Sequence, residues 1–175
     1  MRRAERKRHR VGGTVLGIVL LFAGIAPRSF AQEVEVPAPS PTNVCPVCGM
    51  FVTKYPQWVA TLVYKDGTAV HFDGVKDLFK YLFDLPKYAP DRSSEAIATI
   101  AVTEYYGLTH IDAHQAWFVV GSDVLGPMGH ELVPLMTAAD AEEFKEDHTG
   151  TAILRFDDVT PEIIPKLDAG ELVRR

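Results

Sequence analysis

The side chains best suited to bind a metal lie in one short segment, residues 44–51. Cys45 and Cys48 are the only cysteines of the 175-residue chain, and Met50 follows two positions after the second. Thiolate and thioether sulfurs are soft donors, which select Cu(I), Zn(II) or iron–sulfur clusters over hard cations. In an extended segment Cys48 and Met50 would point to the same side, roughly 7 Å apart along the chain. The segment therefore indicates a soft-metal site with Cu(I) as the leading candidate, in which Cys45 is a third donor or the disulfide partner of Cys48.

A third sulfur lies far along the chain, in a loop rich in glycine and proline. Met128 stands between Pro127 and Gly129, an unusual place for a residue that normally fills a core. The imidazole of His130 follows two positions later. The alternative is a half-buried methionine that anchors the turn. The predicted ligands are thus Cys48, Met50 and Met128, with Cys45 or His130 assisting.

Three other chemistries would use the same cysteines. A Cys2His2 zinc site would add His110 and His114, but residues 49–109 separate the two pairs, far more than a zinc finger allows. A thioredoxin-like dithiol opens a helix directly after a strand, whereas this pair follows a proline-rich stretch. A structural disulfide would suit an oxidising compartment. The motifs of serine hydrolases and phosphate loops are missing from the sequence, so we expect a metal-binding protein and not an enzyme.

The first 31 residues have the three parts of a secretory signal peptide. A basic start is followed by an apolar run at residues 11–26 and by small residues at Ser29 and Ala31. The run is shorter than the roughly 20 residues of a spanning helix, and an uncleaved N-terminal anchor is the alternative. No cysteine directly follows the run, so lipid attachment at a signal-cleavage cysteine is not expected. These features predict export to the periplasm or another extracytoplasmic compartment, with the N-terminal segment as the potential membrane tether.

The rest of the chain is acidic, with 11 basic and 22 acidic side chains in residues 32–175. Nucleic-acid binding needs a basic surface to meet phosphates, so this balance argues against it. Residues 32–43 contain three prolines and predict an extended linker outside the fold.

Hydrophobic periodicity predicts two β-β-α-β units, at residues 44–105 and 106–175, the second followed by a short terminal helix. The Asp66-Gly67 pair predicts a hairpin turn, and Asp73 is placed to cap the first helix. Thr137 is predicted to cap the second helix. The predicted strands cover residues 57–64, 68–72, 97–105, 116–121, 130–134 and 151–156, and His110 and His114 fall in the loop between the units. The expected fold class is α+β, with antiparallel sheets and helices on one face.

Several short motifs follow one another through residues 44–157. They are Cys48-Gly49-Met50, Phe72-Asp73, the segments at 116–122 and 126–129, Ala138-Ala139-Asp140-Ala141 with Phe144, and His148-Thr149-Gly150. Together they resemble the NosL family, exported copper-binding accessory proteins of nitrous oxide reductase. The resemblance implies paired β-β-α-β units, a fold shared with the organomercurial lyases. It also implies Cu(I) binding and delivery to an apo-reductase through a membrane partner complex of the ABC type.

The leading hypothesis is therefore an exported Cu(I) chaperone for a periplasmic copper enzyme such as nitrous oxide reductase. Two alternatives stay open. One is a thiol-dependent enzyme, an oxidoreductase or a lyase by analogy of fold, and the other is an interaction module held by structural zinc or a disulfide.

Overall fold

The computed structural model describes residues 30–172, which form the expected α+β fold with antiparallel sheets. Residues 1–29 of the predicted signal or anchor lie outside the described part of the chain. The elements, in chain order, are β1 (Ala60–Tyr64), β2 (Ala69–Phe72), α1 (Val75–Phe83), α2 (Leu85–Tyr88), β3 (Ile97–Thr103), β4 (His110–Asp112), β5 (Trp117–Val120), β6 (Leu125–Gly126), β7 (Gly129–His130), β8 (Val133–Leu135), α3 (Ala138–Asp147), β9 (Ala152–Leu154) and α4 (Ile163–Asp168).

The first sheet has four strands in the order β2-β1-β3-β4, and all neighbours are antiparallel. The predicted turn joins β1 to β2, and its Gly67 has a φ of +84°, which glycine adopts without the steric strain of a Cβ. In the resulting register Phe72 pairs with Ala60. Because α1 follows almost directly after Phe72, this register also fixes where the helix begins.

The apolar residues of helix α1 lie mainly on one face. Leu78 and Phe79 are fully buried, and the helix ends at Phe83, before Pro86. The Phe79 ring lies 5.9 Å from that of Phe118 on β5 and 5.0 Å from that of Phe156, measured between ring centroids. The helix is therefore fixed by contacts with both parts of the chain.

The start of α1 differs from the prediction. The N-cap position is Gly74, and no side chain caps the helix there. Asp73 is fully buried, and its Oδ1 accepts a hydrogen bond from Cys48 Sγ. The prediction that Asp73 caps α1 is therefore wrong, because a cysteine distant in sequence takes the carboxylate instead.

The second sheet has three antiparallel strands in the order β8-β5-β9, and α3 packs on it. The predicted cap of α3 is confirmed, since Thr137 Oγ1 accepts a hydrogen bond of 3.0 Å from the Asp140 N–H. Ala141 and Phe144 on this helix are fully buried.

Strands β6 and β7 form a small separate hairpin, with Gly126 paired to Gly129 and Pro127 and Met128 at its turn. The strand predicted at residues 130–134 is consequently divided. His130 ends β7, whereas the strand of the second sheet begins only at Val133.

The segment expected to be a linker begins inside the fold. The Ala31 N–H donates to the Met136 carbonyl and the Val34 N–H to the His110 carbonyl, both at 2.9 Å, and Ala31 is buried. The prediction that the chain before residue 43 lies outside the fold is thus wrong for residues 30–34. The prediction that His110 lies in a loop is also wrong, because His110 belongs to β4, which pairs with β3.

Candidate metal centre

The cysteine segment is a tight turn rather than the extended stretch assumed from the sequence. Val44 bridges to Phe51, and within that bridge the Cys45 N–H donates to the Met50 carbonyl at 2.8 Å. The Gly49 N–H donates a hydrogen bond to the Cys45 carbonyl at 2.8 Å, and the φ of Gly49 is +78°. A side chain at position 49 would strain this conformation, which explains a glycine between the second cysteine and the methionine.

The turn places both thiols against the start of α1. Cys48 Sγ donates to Asp73 Oδ1 at 3.1 Å, and Cys45 Sγ donates to Asp77 Oδ2 at 3.4 Å. One ligand atom from each of the four residues lies within 4.8 Å of every other. Among residues 30–172, this is the one group of three or more His, Cys, Asp and Glu side chains close enough to share a metal ion. We call it the Cys2Asp2 cluster.

The two cysteines are free thiols in different environments: Cys45 is 1% exposed, whereas Cys48 is half-buried. Burial raises the pKa of the Cys45 thiol to about 11, against the lowering effect of the Cys48 and Val47 N–H groups. The pKa of Cys48 is raised well above its usual range, first by burial and further by its contacts with Asp73, Asp77 and Cys45. Both thiols are therefore protonated at neutral pH, and a metal that binds them as thiolates must displace protons.

The carboxyl groups of the cluster have unused oxygens. Asp73 Oδ2 is buried without a hydrogen-bond partner. Asp77 Oδ1 also lacks one, although the ammonium of Lys80 lies 3.3 Å away as an ion pair. A buried carboxyl oxygen without a partner is destabilising. A cation held between the thiols and these oxygens would remove that penalty, so the residues present fit a bound metal ion.

The two methionines of the predicted site lie in different segments of the chain, the cysteine turn and the β6–β7 hairpin. Met50 is half-buried in the cysteine turn. Met128 is 42% exposed at the tip of the β6–β7 hairpin, and its carbonyl accepts a hydrogen bond of 2.8 Å from Lys76 Nζ on α1. Lys76 and Asp77 are adjacent in the first turn of α1, so this turn contacts both the hairpin tip and Cys45.

The histidines have other surroundings. His130 has a buried Nδ1 without a hydrogen-bond partner, and its Nε2 would lie 3.1 Å from a Cβ added at Gly170, after the end of α4. The ring of His114 packs against that of Phe156, with 4.0 Å between the centroids and 49° between the ring planes, and His110 lies in β4. Neither His110 nor His114 belongs to the Cys2Asp2 cluster, so the long-range Cys2His2 arrangement is not formed.

Sequence reasoning missed Asp73 and Asp77 as candidate site residues. Their spacing of four places both near one side of a helix start, directly after a buried strand. That spacing was a usable signal, but only the fold shows that the cysteine turn packs against it.

The chain is similar in sequence and in structure to known proteins. A sequence model of the NosL family matches residues 36–164. The chain belongs to the NosL family. The copper-binding lipoprotein NosL of Stutzerimonas stutzeri is 29% identical to it over 163 residues, covering 86% of this chain and 82% of that protein. The crystal structure of the copper chaperone NosL from Shewanella denitrificans matches with a TM-score of 0.60 and 30% identity, covering 78% of this chain and 99% of that one.

The family resemblance deduced from the motifs is thereby confirmed, and the α+β fold is that of a solved NosL structure. Both NosL relatives are named for copper, one as a lipoprotein and one as a chaperone, and neither is named as an enzyme. Within residues 30–172 no helix has the length and apolar character needed to cross a membrane.

Proposed function

We propose that this NosL family member is an exported chaperone that carries Cu(I) and transfers it to a copper enzyme. The observation that supports it best is the Cys2Asp2 cluster, in which two free thiols converge with unsatisfied carboxyl oxygens. The copper named in both relatives' descriptions supports the identity of the cargo.

Cu(I) would bind through the sulfurs of Cys48, Met50 and Met128, with Cys45 or His130 assisting. Soft donors favour the monovalent ion, and the two methionines add thioethers without adding negative charge. Cys48 is only partly buried and Met128 is 42% exposed, so neither residue is closed off from solvent. An accessible site of this kind suits transfer, because a partner's ligands can replace those of the chaperone one at a time.

The client would be a periplasmic copper enzyme such as nitrous oxide reductase, reached through a membrane complex of the ABC type. Support comes from the family resemblance and from the signal-like pattern of residues 1–31. Because one relative is named as a lipoprotein, it supports the proposal that copper transfer takes place at a membrane surface.

The test is titration of the reduced protein with Cu(I) against a competing chelator in the absence of oxygen. Cys48→Ser should abolish tight 1:1 binding, and Met128→Leu should weaken it while keeping a similar side-chain volume. Met136→Leu is the matched control, because that methionine packs on the core. Wild-type affinity in both Cys48→Ser and Met128→Leu would overturn the proposed function.

The two carboxyl groups favour one alternative, a structural Zn(II) site, since zinc binds carboxylate as well as thiolate. Metal analysis of protein purified from the periplasm distinguishes the two. One zinc per chain that resists chelators, with unfolding on its removal, would replace the chaperone proposal.

A further inference from the structure

We propose that Lys76 is a positioning residue, which holds the hairpin tip so that the Met128 thioether can join the Cys2Asp2 cluster in binding Cu(I). The inference rests on the proposed function, because it assigns Lys76 a role through a ligand of that site.

The first observation is the burial and bonding of the Lys76 side chain, which is 0% exposed. Its ammonium donates to the Met128 carbonyl at 2.8 Å and forms an ion pair with Asp168 Oδ1 at 2.9 Å. Burying an ammonium is unfavourable unless its donors are satisfied, so the contacts with the hairpin tip and with α4 are what keep it in place. Since the acceptor at residue 128 is the backbone, Lys76 fixes the turn itself and leaves the thioether unoccupied.

A second attachment fixes the base of the same hairpin to α1. Glu131 Oε1 accepts hydrogen bonds from the backbone N–H groups of Lys76, at 2.6 Å, and Leu132, at 3.0 Å. Gly74 leaves the space for this carboxyl group, because a Cβ there would overlap Glu131 Oε2. The hairpin is thus attached twice to the first turn of α1, the turn that follows Asp73.

The Lys76 ammonium belongs to a continuous polar path that reaches the Cys2Asp2 cluster. Lys80 Nζ lies 3.3 Å from Asp77 Oδ1 and 3.2 Å from Asp168 Oδ2. The complete path runs through Cys45, Asp77, Lys80, Asp168, Lys76 and the Met128 carbonyl. A displacement of the hairpin tip therefore has to break a contact in a network that also orients the Asp77 carboxyl group of the Cys2Asp2 cluster.

An ammonium cannot itself coordinate a metal, so Lys76 can act on copper only through the groups it holds. Its removal should then matter only while Met128 is present. This dependence separates a positioning role from a general contribution to folding, which would act in either background.

The experiment is a double-mutant cycle on the full chain, with Cu(I) affinity measured by chelator competition. Lys76→Leu should weaken binding about tenfold, the lower end of the range found when residues that orient metal ligands are replaced, and Met128→Leu, which removes the proposed ligand itself, should weaken it at least as much. Their combination should be no more than about twofold weaker than Met128→Leu alone, because coupled residues are not additive. Lys87→Leu removes one exposed positive charge from α2 and should leave the affinity unchanged.

Equal weakening by Lys76→Leu in both backgrounds, or none in the wild type, overturns the inference. Wild-type affinity in Met128→Leu overturns it too, since no thioether is then positioned. In that case loss of binding in Cys48→Ser still supports a copper site, whereas unchanged binding there rejects the proposed function itself. If circular dichroism shows that Lys76→Leu is unfolded, Asp168→Asn replaces it in the cycle. Asp168 is 44% exposed, and the substitution removes the ion pair that holds the Lys76 ammonium, which then keeps only the Met128 carbonyl.

Discussion

Copper binding should become tighter as the pH rises, because the thiols of the free protein are protonated. Burial raises the pKa of Cys45 to about 11 and raises that of Cys48 further above its usual range. Below its pKa a thiol keeps its proton, and coordination as a thiolate releases that proton. Higher pH lowers the free energy needed for the release, so the affinity increases with pH across the whole range below 9.

The size of the pH effect depends on how many thiols bind copper as thiolates. Each released proton changes the binding constant about tenfold per pH unit, which corresponds to about 1.4 kcal/mol. Between pH 6 and pH 8 the affinity should rise about a hundredfold if Cys48 alone becomes a thiolate, and about ten-thousandfold if Cys45 joins it. Cys45→Ser therefore reports directly on the second thiol, by lowering the slope from about two to about one per pH unit.

The assay is anaerobic competition with a chelator whose own protonation is known, at pH 6, 7 and 8. Met128→Leu is the control, because a thioether has no proton to release and the variant should lower affinity by the same factor at each pH. An affinity for Cu(I) that does not change with pH would refute the reasoning, since neither thiol would then bind as a thiolate.

Two further predictions concern the attachment of the hairpin to α1. Burial raises the pKa of Glu131 to about 8, so the protonated carboxyl group stabilises the fold below about pH 4.5 and that contribution is lost as the pH rises toward 8. Relative to Glu131→Gln, the wild type should lose about 3 kcal/mol of unfolding free energy between pH 4.5 and pH 7, measured by urea denaturation; parallel pH profiles would contradict this. Gly74→Ala should destabilise the protein by about 1–3 kcal/mol, because the new Cβ overlaps Glu131 Oε2. Wild-type stability in Gly74→Ala would show that the carboxyl group moves aside freely.

Local features of the fold could be predicted from the sequence because local chemistry determines them. The Asp66-Gly67 turn requires a residue with positive φ, and Gly67 supplies it. Thr137 is followed three positions later by a helix N–H that its hydroxyl can bind, and the cap forms as predicted. The apolar spacing of α1 likewise reflects one buried face.

The candidate site could be predicted only in part, because its contacts join residues distant in sequence. Cys45 and Cys48 were identified from their spacing, but their carboxyl partners lie 32 and 25 residues away and depend on how the cysteine turn packs on α1. Asp73 also fits a local rule for helix caps, and the distant thiol displaced that role. Whether Met50, Met128 and His130 coordinate copper stays a prediction.

The pairing of residues 30–34 with the body has a consequence for the proline-rich segment that follows them. Val34 is bonded to the edge of the first sheet, and Val44 to the cysteine turn, so residues 35–43 join two fixed points of one domain. The three prolines restrict the backbone of this segment, and residues 40–43 close it in a hydrogen-bonded turn, so it has little freedom to change length. Deleting residues from it would therefore displace the cysteine turn relative to the first sheet.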